Sequence, residues 1–118
     1  MTIPFLSRFS SYAPLVLRVG LAILVLWFGA EQLTNASGWI AWVPEWTSAI
    51  GLSPEQVVYA NGTFEVVAGI LLLFGFFTPI VAFLLFLHMC LITIEIGINP
   101  TGVRDFGITV ALLVLALL

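Results

Sequence analysis

Ser53-Pro54-Glu55-Gln56, the apolar run that follows to Phe77, and Thr78-Pro79 opening a second run to Ile96 decide the fold. Serine as N-cap, proline at the first helical position and glutamine three residues after the serine form a helix start with a capping box. The apolar residues beyond it number more than the roughly 20 that a helix needs to cross about 30 Å of hydrocarbon. Gly75-Phe76-Phe77-Thr78-Pro79 then reads as a stop and an immediate restart, with Thr78 as cap. Residues 54–77 and 79–96 are therefore predicted to be two membrane spans in a tight antiparallel hairpin.

Upstream, residues 13–33 form another span, interrupted only by Arg18 until Glu31. The run is longer than the apolar core of a signal peptide and carries an arginine, so it reads as a span and not as a cleaved leader. Downstream, Gly97-Ile98-Asn99-Pro100-Thr101-Gly102 breaks the third span, and residues 103–118 make a fourth of only about 24 Å. The expected fold is an all-α membrane protein: one domain over residues 1–118, a four-transmembrane-helix bundle with an interfacial tryptophan-rich loop between helices 1 and 2. Composition agrees. The 118 residues are 62% hydrophobic and 8% charged, against about 25% charged in soluble domains. Three arginines, no lysine and a net charge of -3 exclude a nucleic-acid footprint and a polybasic patch for anionic lipid. Cys90 is the single cysteine, which excludes an intramolecular disulfide, a C-x-x-C redox pair and a cysteine-ligated zinc or iron–sulfur site.

The connection over residues 34–52 carries Trp39, Trp42 and Trp46 at i, i+3 and i+7, with Trp27 near the end of the first span. Such tryptophans read as a belt lying on the headgroups, or as an aromatic lid over a site between the helices. Pro44 makes this a broken, re-entrant segment and not one rod. Arg8 and Arg18 on one side, with Glu45 and Glu55 in the loop, favour cytoplasmic termini in a multi-pass protein of the plasma or inner membrane; Arg104 counts against this orientation.

An ionisable group inside hydrocarbon costs about 2.5–3.5 kcal/mol on insertion scales, so each one wants a partner. Counting along alternating spans gives two layers. Glu31 and Gln32, Glu95, and Arg104-Asp105 fall on the side of the tryptophan loop. There Arg104 is expected beside Glu95 or Glu31, and Asp105 near the positive end of the fourth helix. Glu65 and His88 fall near mid-membrane, with Arg18 towards the other edge, in reach of water or of Glu65. On the second span Asn61, Glu65, Gly69 and Leu72 share a face. This network either fixes helix register, handles a ligand or proton, or meets a partner subunit. Met89 and Cys90 read as packing residues.

Arg18-Val19-Gly20, followed by Trp27-Phe28-Gly29-Ala30-Glu31-Gln32-Leu33, resembles the first-helix pattern of the DoxX family with its DoxD and MauE-like relatives, Gln32 standing where that pattern has lysine. Gly62-x-x-Glu65-x-x-x-Gly69, then Gly75-x-x-Thr78, resembles its second helix, and Arg104-Asp105-Phe106-Gly107 the start of its fourth. The resemblance spans about residues 18–118. It implies a four-helix fold and a redox-associated membrane context, some relatives being small subunits of thiosulfate:quinone oxidoreductase and others assembly factors. Three functions follow as expectations. The first is a membrane anchor of a quinone-linked redox complex that admits a quinone or lipid between its helices. The second is a ligand-free scaffold, and the third a carrier of a small acid or proton using Glu65, His88 and Arg18. Independent catalysis is not expected. Neither is an intrinsic redox cofactor, because His88 and Met89 are adjacent and cannot flank one haem. The expected partners are membrane lipid and a partner subunit or second copy.

Overall fold

The structure is a computed structural model that describes residues 3–118. A short helix, Pro4–Ser7, and a 3-10 turn, Ser10–Tyr12, lead into α1, Ala13–Thr34. The remaining long helices are α2, Pro54–Phe74, α3, Thr78–Ile96, and α4, Pro100–Leu117. All four are long and apolar enough to cross a membrane, and no strand occurs among the described residues.

The capping box at the start of α2 is formed in both directions. Gln56 N donates to Ser53 Oγ at 3.2 Å, and Ser53 N donates to Gln56 Oε1 at 2.9 Å, so two otherwise orphaned amides are satisfied. At its other end α2 stops at Phe74 and not at Phe77, because Gly75 takes a left-handed φ of 79° that closes the last turn. Thr78 is the first residue of α3 and not its cap. Phe77 fills the capping position at φ 55°, with no side-chain capping bond.

The fourth span is longer than the sequence suggests. Asn99 Oδ1 accepts from Gly102 N at 2.8 Å and Pro100 follows it, so this proline begins a helix where it was read as part of a break. The resulting 18 residues reach about 27 Å.

The hairpin is tight at its turn but not along its length. α1 lies closely along α2, and α3 along α4, while α2 and α3 touch far less. Glycine sets the first pairing. A methyl group on Gly29 would stand 2.9 Å from Gly62 O, and one on Gly62 would stand 3.1 Å from Gly29 O. The two backbones thus cross with nothing but glycine between them. The apolar core, including Ala22, Leu72, Ala82, Leu85 and Leu112, fills the half of the bundle remote from the tryptophan loop. In the loop half the two helix pairs stand apart.

Candidate functional site

Three helices contribute to one polar cluster at the floor of that opening. Gln32 on α1 donates through Nε2 to Glu65 Oε2 at 3.0 Å and to Phe28 O at 3.2 Å. Asn61, one turn before Glu65 on α2, donates through Nδ2 to Glu65 Oε1 at 3.2 Å and to Gln32 Oε1 at 2.7 Å. His88 on α3 brings Nε2 to 3.3 Å from the same Oε1. Glu65 is 6% exposed and Gln32 4%. A carboxylate at this depth is tolerable because three nitrogens converge on it. No buried side-chain nitrogen or oxygen among the described residues lacks a partner.

Above the cluster lies a cavity of about 480 Å³, within the range of small-molecule sites. Its walls are largely apolar and aromatic; Gln32, Asn61, Glu65 and His88 form its polar floor, and Glu95, Thr101, Arg104 and Asp105 also lie on its lining. Trp27, Trp39, Trp42 and Trp46 all line it. The loop tryptophans do not share one helical face: Trp39 and Trp42 sit on and beside the 3-10 turn Ile40–Trp42, and Trp46 opens a separate turn, Trp46–Ala49. Phe28 stacks edge-on against both Trp27 and Trp39, at 5.3 and 5.8 Å between ring centroids. Trp46 Nε1 donates to Glu95 Oε1 at 3.2 Å, which ties the loop to the end of α3.

The outer layer pairs differently from the sequence expectation. Arg104 turns to its own neighbour, donating through Nε and Nη2 to Asp105 Oδ1 at 3.1 and 2.9 Å, and not to Glu95 or Glu31. Its guanidinium carbon stands 5.4 Å from the Phe28 ring centroid, so α4 reaches α1 across the cavity mouth by a cation–π contact. Asp105 is buried but lies beyond the first turn of α4, since the helix starts at Pro100. Glu31 is half-buried, lines neither cavity described here and makes no side-chain hydrogen bond among the described residues.

Arg18 is also apart from Glu65. Its Nη1 donates to Leu72 O at 3.0 Å and Leu73 O at 3.3 Å, adding to the Gly75 amide that Leu72 O already accepts at the end of α2. Arg18 is thus a capping residue of a neighbouring helix, two turns from the polar cluster. Asn61, absent from the expected site, belongs at its centre. The signal available was its position four residues from Glu65 on the same face.

The DoxX family profile matches residues 13–97. The match takes in α1 to α3, with every member of the polar cluster, and stops before α4, short of the Arg104-Asp105 resemblance. No curated protein and no solved structure matches the chain. With most of its length covered by that profile, the chain belongs to the DoxX family.

Proposed function

We propose that this protein binds an amphipathic aromatic lipid of the quinone class in the cleft between its helix pairs, and acts as a membrane subunit of a quinone-linked redox complex. The observation that carries the reading is the cavity of about 480 Å³, mostly apolar and aromatic along its walls, with one polar cluster at its floor and a second polar group, Glu95, Thr101, Arg104 and Asp105, on its lining. A ring with oxygen substituents and an isoprenoid or alkyl tail matches that division, the ring at the cluster and the tail among Trp39, Val57, Ile92 and their neighbours. A ligand-free scaffold gives no reason to leave this half of the bundle unfilled, because core packing is otherwise close. A carrier of small acids is less well supported, because Arg104, the arginine on the cavity lining, is already paired with Asp105, and Arg18 is held by carbonyls of α2. Arg8 and Arg18 lie on the side away from the tryptophan loop, so the positive-inside rule supports cytoplasmic termini.

Tryptophan fluorescence tests the binding, since all four tryptophans line the cavity. In nanodiscs, a decyl-tailed benzoquinone is expected to quench in two parts: a linear collisional part from the bilayer and a saturable part at one equivalent. His88→Leu is expected to remove the saturable part. Purely linear quenching in the unmodified protein overturns the proposal.

A further inference from the structure

The polar end of the cavity has a definite hydrogen-bonding sense. Both N–H groups of Asn61 are committed, to Gln32 Oε1 and Glu65 Oε1. Reversing the amide would set its oxygen against two acceptor oxygens, so the orientation is fixed by the network. Gln32 is fixed in the same way by Phe28 O and Glu65 Oε2. Asn61 Oδ1 is therefore left without a protein partner. His88 faces Glu65 with Nε2, which leaves Nδ1 without a protein partner; in the tautomer whose proton sits on Nε2 and points at Glu65, Nδ1 is an acceptor. Every buried polar side-chain atom among the described residues is partnered, so these two free atoms are accessible ones. Both residues line the main cavity, and both also line a second of about 380 Å³ beneath Trp46 and Phe64. The cluster spends its amide donors internally, on Glu65, Gln32 Oε1 and Phe28 O, and leaves acceptors unpaired.

We infer that the site selects a ligand that brings hydrogen-bond donors: a dihydroxy aromatic such as a quinol, in preference to the corresponding quinone. This rests on the binding reading above and adds the redox state of the ligand. A quinol hydroxyl donates to Asn61 Oδ1 or His88 Nδ1, whereas a quinone carbonyl meets oxygen against oxygen and nitrogen lone pair. A site built to satisfy one sense of hydrogen bond discriminates against the analogue lacking it, because its polar atoms are then left dry and unpaired.

Two ligand pairs test the inference on the intact protein in nanodiscs under anaerobic conditions. One is the decyl-tailed benzoquinone with its chemically reduced quinol. The other is an alkylresorcinol with its dimethyl ether, which holds ring and tail constant and cannot form a quinone. In each pair the hydroxyl form is expected to bind about tenfold more tightly, the worth of one to two net hydrogen bonds. Asn61→Ala is expected to shrink both ratios towards one, and where that variant does not fold, His88→Ala serves. If none of the four compounds binds saturably, the cavity reading itself fails, and this inference with it. Saturable binding in which the quinone matches or exceeds the quinol, or the ether matches the resorcinol, overturns the inference and leaves the cavity reading standing.

Discussion

Glu65 holds the site together because it is the common acceptor of groups from three helices. Replacing it with leucine leaves Gln32 and Asn61 each with an amide donor unpaired in an apolar interior, and removes the partner of His88 Nε2. The cost expected for Glu65→Leu is roughly 2–4 kcal/mol, the range for orphaning buried hydrogen-bonding groups. Glu45→Leu, at an exposed loop position, is expected to cost little. Thermal unfolding in detergent at matched pH compares the two, and equal losses contradict the convergent arrangement. Arg18 does not enter this comparison, since it is held by α2 carbonyls at the far end. The same residue-scale logic separates the two carboxylates of the outer layer: Asp105 is buried against Arg104, and Glu95 meets the Trp46 indole.

At the scale of elements, the contact between α1 and α2 depends on glycine where the helices cross. Gly29→Ala forces its methyl group to 2.8–2.9 Å from Val66 and the backbone of Gly62, and backbone cannot yield as a side chain tip does. The expected loss is about 1–3 kcal/mol, as for overpacking elsewhere. Gly20→Ala on the same helix has nothing within 4 Å of the added carbon, and is expected to be neutral or slightly stabilising through helix propensity. Melting temperatures of the two variants, measured side by side, check the seam; a Gly29→Ala protein as stable as the unmodified one contradicts it. The seam also carries the site, because Gly62 lies between Asn61 and Glu65, and Gln32 is three residues from Gly29. Separation of α1 from α2 pulls Gln32 away from the carboxylate.

Over the whole molecule, the bundle is closed at one end and open at the other. The closed half is the apolar core; the open half meets the tryptophan loop. This division accords with the proposed binding role, in which no redox cofactor of the protein's own is expected. His88 is the single histidine, its neighbour Met89 cannot reach the opposite face of a haem, and the described residues hold no cluster of three or more His, Cys, Asp or Glu placed to grip a metal ion. The purified protein is expected to show no Soret band in its visible spectrum and no stoichiometric iron. A haem shared by His88 of two copies is the outcome that contradicts this.

The sequence by itself determined that four helices are long and apolar enough to cross a membrane, and the capping box of α2. Both depend on local properties: hydropathy over a helix length and backbone amides within one turn. The two-layer scheme does not hold, since Gln32, counted to the outer layer, bonds directly to Glu65. Tertiary structure decided the partners. Arg18 and Glu65 lie on facing helices, and counting residues cannot say whether their axial positions coincide; the crossing of α1 on α2 puts Arg18 beside Leu72 instead. Arg104 had Glu31 and Glu95 as candidate partners by span counting; the structure pairs it with neither, and it turns to Asp105 beside it in sequence. Asn99-Pro100 reads in the sequence as part of a break, and the structure makes it the cap and first residue of α4. Helix pairing departs from the expected tight hairpin of residues 54–77 and 79–96: equally short loops join α2 to α3 and α3 to α4, and packing at the crossing points selects α1–α2 and α3–α4 as the close pairs. The cavity exists because α1–α2 and α3–α4 zip as pairs while their facing sides meet only in the far half, a fact of packing that no single span contains.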